Sequence, residues 1–300
     1  MQPFDEFLDL IRLRVSIYHN ALVCGDWQLR DVLGPDATCF HMVTIGQCRL
    51  QIPGQAEQVL QQGDLVLLPR EMPHTLVPLN HMGVAMRRLP YRNTMPDATG
   101  MLCGRILFRH RGSEQLLADL PPVIVLRMTG EAMPWLQSLQ ALIVQESLLQ
   151  DSGTSLLLER LCEILVIYSL REYLRQQGNR QGIMALYSHA RLAPAMQLLH
   201  QQPAQDWNLQ QLADACALSR SAFANLFKKD SGWSVMQYLT WWRMQLAWRL
   251  LERGQAVAQT AANVGYKSEA AFSRAFSREF ALSPGAVRRQ AQVTDNKPGG

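Results

Sequence analysis

Two segments of this chain carry the same pattern. They are Ser219-x-x-x-Phe223-x-x-x-Phe227 and Ser268-x-x-x-Phe272-x-x-x-Phe276, with the serines 49 positions apart. A serine just before a helical pattern is a favoured N-cap, because its hydroxyl accepts an orphan backbone N–H. Aromatic residues at i and i+4 share one face of the helix, and the opposite face here is small, polar or cationic. Such a helix is held in a core by one side and can enter a nucleic-acid groove with the other. A unit of this size repeated once predicts two helix-turn-helix units in tandem.

The rest of the chain must accommodate that module. Three hundred residues suit two domains, and 48% apolar with 18% charged residues is an ordinary globular composition. The formal charge of +4 is unevenly placed. Residues 191–300 carry 13 Lys/Arg against 7 Asp/Glu, a net +6, whereas residues 1–190 carry 16 against 18. A basic C-terminal third on a slightly acidic body points to a polyanion partner for that third. Met1 to Glu6 shows neither a basic nor an apolar signal-peptide region, and no apolar run approaches a membrane span. A soluble, cytoplasmic protein with no membrane partner is therefore expected. The six cysteines (24, 39, 48, 103, 162 and 216) show no C-x-x-C pair, which points to reduced thiols and away from a zinc site.

Taken in order, residues 1–18 read as an amphipathic helix on Phe4, Phe7, Leu8, Ile11 and Val15. From about Ala21 to Leu126, strand-length segments alternate with Gly and Pro punctuation: 27–30, 39–43, 48–52, 57–60 and 64–68. Ser113 to Leu120 reads as a short closing helix. Pro134–Gln150 and Ser155–Gln177 read as a helical hairpin broken at Asp151-Ser152-Gly153, packed on the β domain and available for a homodimer contact. Residues 176–182 read as a linker. Helices then follow to Arg289, including a long apolar one over Val235–Glu252, and 293–300 reads as a disordered tail. The expected fold is α+β with two domains: an N-terminal cupin-like β-barrel (jelly roll) with a helical hairpin, then an all-α tandem helix-turn-helix domain. The expected boundaries are 1–130, 131–182, 183–291 and 292–300.

Residues 191–290 closely resemble the DNA-binding domain of the AraC/XylS family of bacterial transcription regulators. The resemblance rests on Leu212-Ala213, Ser219-x-x-x-Phe223-x-x-x-Phe227-Lys228, Tyr238-Leu239, Arg243-Met244, Ala261-x-x-Val264-Gly265-Tyr266, Ser268-x-x-x-Phe272-x-Arg274-x-Phe276 and Ser283-Pro284. Gly63-Asp64 leading to Pro69 and Pro73-His74, with Cys103-Gly104, resembles the cupin-type sensory domain of one branch of that family. The resemblance implies a sequence-specific regulator of the activator kind, with double-stranded DNA and RNA polymerase as partners and a small-molecule effector or redox signal as input.

On the first recognition helix, family position implies base contacts from Ser221, Ala224 and Asn225, the last suited to adenine, and phosphate contacts from Arg220, Lys228 and Lys229. On the second, Lys267, Ser268, Glu269, Ser273 and Arg274 face outward, with Arg274 suited to guanine and Glu269 to the cytosine amino group. Two such helices on one side of B-DNA would enter major-groove segments about 34 Å apart. The second helix reads as the main reader and the first, poorer in long polar side chains, as an anchor. Trp241, Trp242 and Trp248 read as core residues rather than base-stacking groups.

In the β domain, His41, His74, Cys103 and Cys24 are the candidate effector or redox residues. No H-x-H pair, Walker loop, dinucleotide fingerprint or Ser-His-Asp pattern occurs, so no enzyme, cofactor or metal is expected. The alternatives are a metal-dependent cupin enzyme fused to a DNA-binding domain and a ligand-independent DNA-binding protein.

Overall fold

The computed structural model describes residues 2–30, 38–70, 72–90, 95, 97–108, 117, 119–127, 134–149, 153–176 and 182–295. Two compact units emerge: Leu13–Arg109 with Leu120–Gln176, and Met1–Arg12 with His110–Asp119 and Gln177–Gly300. No helix among the described residues is long and apolar enough to cross a membrane.

The first unit is built on ten strands: β1 (Leu13–Cys24), β2 (Leu29–Arg30), β3 (Thr38–Ile45), β4 (Gln47–Gln51), β5 (Gln58–Gln61), β6 (Leu65–Leu68), β7 (Thr75–Pro78), β8 (Arg87–Leu89), β9 (Thr99–Phe108) and β10 (Ile124–Leu126). They form antiparallel sheets of order β10-β6-β3-β9-β1-β8 and β2-β7-β4-β5. The core draws Val23, Cys39, Val43, Val66, Met101 and Cys103 from one sheet and Cys48, Leu50, Leu60 and Leu76 from the other. The Gly63-Asp64 pair clasps the start of β6 to β3. Gly63 N–H donates to Val43 O at 2.8 Å, Val43 N–H donates back to Asp64 O at 3.1 Å, and the buried Asp64 carboxylate accepts from Gln61 N–H and pairs with Arg127. At Gly104 any Cβ would sit 2.5 Å from the Phe40 ring, so the close strand approach there requires glycine.

The hairpin forms as α2 (Pro134–Leu148) and α3 (Thr154–Gln176) and belongs to the β unit. Val15 N–H donates to Glu163 Oε1 at 3.3 Å, and the Asn20 amide donates to Ser147 O at 3.2 Å. The expected helix over 113–120 falls largely outside the described residues.

Three expectations are corrected. The N-terminal helix α1 covers only Pro3–Ile11, and residues 13–18, read as helical, lie in β1. Arg12 takes a left-handed conformation (φ 46°) that ends the helix, and pairing with β9 then draws the chain into the sheet. Helix α1 also packs in the helical unit rather than in the β domain, with Phe7 stacked on Tyr187 and Asp9 paired with Arg249 at 2.6 Å. At the other end α11 (Pro284–Asp295) runs on through 293–295, since no Gly or Pro lies between Gly285 and Pro298.

The helical unit continues with α4 (Ile183–Ser188), α5 (Ala193–Gln201), α6 (Leu209–Ala215), α7 (Arg220–Ser231), α8 (Val235–Glu252), α9 (Val257–Asn263) and α10 (Glu269–Phe280). Helix α8 is buried at ten positions spread around its circumference, so other elements pack on more than one side of it. Tyr238 meets Phe227 edge-on at 5.8 Å, and Trp248 meets Phe276 and Phe280 at 5.9 and 4.7 Å. All three tryptophans of α8 are buried, as expected of core residues.

His200 sits in this core, stacked on Trp242 at 3.9 Å, with Nε2 against Tyr238 Oη at 2.7 Å and Nδ1 3.4 Å from Glu6. Burial lowers its pKa below the usual 6.5, and the hydrogen bond and charge of Glu6 oppose that only in part. The unfolded chain therefore takes up a proton near 6.5 that the folded chain resists, so this group's contribution is present above that pH and fades as pH falls below it. Urea unfolding at about pH 7.5 and about pH 5.5 should show wild-type stability falling with acid, and a smaller fall for His200→Gln.

Candidate functional site

Each helix-turn-helix is fixed by its own turn. In the first, Ala217 takes φ 52° and Leu218 N–H returns to Ala213 O at 3.0 Å. In the second, Gly265 takes φ 81° and Tyr266 N–H returns to Ala261 O at 2.9 Å. The two turns are thus 48 residues apart, whereas the cap serines are 49 apart, the extra residue being Lys267. Ser219 accepts from Ala222 N–H at 3.2 Å, and Ser268 from Ala271 N–H at 3.4 Å, so both serines cap their helices. The hydroxyl of Ser268, expected to face a groove, is engaged in this cap.

The recognition helices bury Phe223 and Phe227 on α7, and Phe272, Phe276 and Phe280 on α10. Arg220, Ser221, Asn225, Lys228 and Lys229 are exposed, and Ala224 is half-buried. On the second unit Lys267, Glu269 and Arg274 are exposed, and Ser273 is half-buried. With the serines aligned, exposed Ser221, Asn225 and Lys228 correspond to exposed Ala270, Arg274 and Ser277. Ser277 completes this strip and was not among the sequence candidates, although its i+3 spacing from Arg274 marks it. Arg220 and Glu269 open the two helices at equivalent positions with opposite charge. Lys267 also lies 3.5 Å from Asp206, a fully hydrated pair of little energetic weight.

Inside the β domain, His41 and His74 converge. Their Nε2 atoms lie 2.8 Å apart, and Cys39 Sγ lies 3.8 Å from His41 Nε2. His74 Nδ1 donates to Met72 O at 2.9 Å. Cys39 was not a sequence candidate. Its alternation with His41 along β3 places both on one face, and that was the available signal. Cys103 is register-paired with His41 across β3 and β9. Cys24 lies just past the Val23–Thr99 pair of β1 and β9, five residues along from Cys103 and so roughly 16 Å away. That is beyond disulfide reach in this fold. Burial, reinforced by nearby carboxylates, pushes the Cys48 and Cys162 thiols up to about 12, so neither is a ready thiolate.

Two capped helices with buried aromatic stripes and exposed polar strips, joined in one chain to a two-sheet β domain, define a DNA-binding regulator with an accessory domain. Comparison with known proteins agrees. A family model described as a cupin matches residues 2–175, and one described as a helix-turn-helix domain matches residues 212–290. A putative AraC-like transcription regulator of Streptomyces lividans is 32% identical over 96% of this chain and 98% of its own length. The RCS-specific HTH-type transcriptional activator RclR of Escherichia coli is 28% identical over 97% and 99%. Among solved structures, the DNA-binding domain of AdpA in complex with a target DNA is 26% identical, covering 35% of this chain and 98% of that one at a TM-score of 0.32. The chain belongs to the AraC family of transcriptional regulators, in the form that carries an N-terminal cupin domain. It is a DNA-binding transcription regulator and not an enzyme, and its class of partner is double-stranded DNA.

The turn glycine can be tested directly. A Cβ at Gly265 would sit 2.6 Å from Ala204 O on a backbone of positive φ. Gly265→Ala should destabilise the helical unit by about 1–3 kcal/mol in urea unfolding. Ala217→Gly, at the matching turn, should change stability by no more than about 1 kcal/mol.

Proposed function

We propose that this regulator acts in the cytoplasm as an activator that reads its operator through the N-terminal turns of α7 and α10. In this reading Ser221, Ala224 and Asn225 approach base edges in one major-groove segment, and Glu269, Ser273 and Arg274 do so in the next. Arg220, Lys228, Lys229 and Lys267 meet phosphates and set register without reading sequence. The observation that carries this reading is the matching of the two exposed strips, Ser221-Asn225-Lys228 and Ala270-Arg274-Ser277, each backed by a buried phenylalanine pair. RNA polymerase is the expected partner at the promoter.

The cupin domain supplies the input. A small-molecule effector bound near His41 and His74 shifts DNA affinity by preferring one conformational state of the regulator. A redox input through Cys103 or Cys24 is the second reading, favoured by the relative named as an RCS-specific activator. A Cys103→Ser protein that still switches target transcription normally in oxidant-treated cells removes Cys103 from it. Leu142, Leu156, Leu157 and Ile164 leave an apolar surface exposed on the hairpin. A homodimer contact there fits that exposure, and the sedimentation mass of the full chain decides it.

Genome-wide mapping of bound sites supplies the operator, and binding titrations on it test the assignments. Arg274→Ala should cost about 1–3 kcal/mol on the operator and relax preference at one base pair. Lys229→Ala should weaken specific and random DNA alike and flatten the salt dependence. Equal weakening of both DNAs by Arg274→Ala would remove that residue from the readers.

A further inference from the structure

The interior of the cupin domain holds three metal-ligating side chains in one place: Cys39 and His41 from β3, and His74 from the connection between β6 and β7. All three are buried, and their donor atoms lie within 4.8 Å of one another. We infer that Cys39, His41 and His74 form a binding site for a divalent cation of the zinc class.

The spacing carries much of the argument. Around a tetrahedral zinc, with Zn–N of about 2.0–2.1 Å and Zn–S of about 2.3 Å, ligand atoms stand roughly 3.3–3.6 Å apart. The observed separations of 2.8 Å between the imidazoles and 3.8 Å from sulfur to His41 bracket that range. A small movement of the two rings apart makes room for the ion. The tautomer is also set. His74 donates Nδ1–H to Met72 O, so in its neutral form Nε2 carries a lone pair aimed at the other two donors. A ring whose far nitrogen is anchored on a backbone carbonyl is the usual arrangement of a metal-bound histidine.

The donor set selects the ion. Two imidazoles and one thiolate favour zinc-class cations over magnesium or calcium, which take oxygen ligands. Three protein donors leave a fourth position for water or an exchangeable ligand. Binding displaces the Cys39 thiol proton to solvent and moves the proton that His41 Nε2 donates to His74 across to His41 Nδ1, and because the thiol proton is released, affinity weakens as pH falls. The ion would also tie β3 to the β6–β7 connection, the segment that leads from the sheet of β3 to the other sheet.

The inference is independent of how the regulator reads DNA, because it is tested on the full chain without DNA. Dialysis against zinc followed by elemental analysis should give one equivalent per chain. Cobalt(II) should produce visible bands of tetrahedral intensity and a near-ultraviolet thiolate-to-cobalt band, lost on adding zinc. Cys39→Ser should abolish the thiolate band, and His41→Gln and His74→Gln should each weaken binding by at least about tenfold. Cys216→Ser, which alters a thiol of the helical unit, should leave stoichiometry and spectrum unchanged. Saturating zinc should raise the thermal midpoint of the wild-type chain by several degrees, and chelator should reverse it. A folded wild-type chain that retains no stoichiometric zinc and gives no cobalt bands would overturn the inference. So would a cobalt spectrum that survives in folded Cys39→Ser and His74→Gln proteins.

Discussion

The helical unit depends on the burial of α8. An ordinary surface helix spends one face on a core, but α8 buries ten positions along Val235–Glu252 and serves two cores. Phe227 packs on Tyr238, while Met244, Ala247, Trp248 and Leu251 join Ala261, Val264, Phe272, Phe276 and Phe280. The two recognition helices are therefore held to a common rod rather than to each other. Their relative orientation is set by the stiffness of that rod and by aromatic contacts that resist sliding. Arg243 adds a further tie, donating to Pro203 O and Gln205 O in the segment that leads into α6.

The β domain follows a different logic, in which strand alternation decides what lies inside. On β3 the same alternation sends Cys39, His41 and Val43 to one face. That puts a polar imidazole among Val66, Met101 and Cys103, where it must find a partner within the protein. His74 meets that need. A buried imidazole pair is a demanding feature to keep in an apolar interior, because its ring nitrogens must find their partners within the protein.

How much of this was legible depended on how local the determining forces were. The recognition helices could be read closely, because the cap serine and the i/i+4 phenylalanines are signals only a few residues apart. Five strand segments were legible from their Gly and Pro borders. The first half of β1 was not: Phe4, Phe7, Leu8, Ile11 and Val15 fit a helix as far as residue 18, and only the pairing with β9, about ninety residues on, resolves it. The helix break at Arg12 carries no glycine to announce it, and neither does the left-handed turn at Ala217. In the cupin interior the histidines were visible as residue types, but their union with Cys39 depends on strand pairing that no linear spacing records. The contacts expected with DNA rest on exposed side chains, and the sequence could separate inward from outward positions and mark Ser268 as a cap, but not tell half-buried Ser273 from its exposed neighbour Arg274.

The single residue by which the two turns differ in their distance to the following helix has a practical meaning for anyone who wishes to exchange the specificities of the two halves. Counting from the left-handed residues at 217 and 265 aligns Asn225 with Ser273, whereas counting from the cap serines aligns it with Arg274. The first alignment would transplant a half-buried side chain into an exposed position and turn the grafted face away from its target. A chimera has to be cut at the serines, with Lys267 left behind as part of the hinge and not carried over as part of the reading surface.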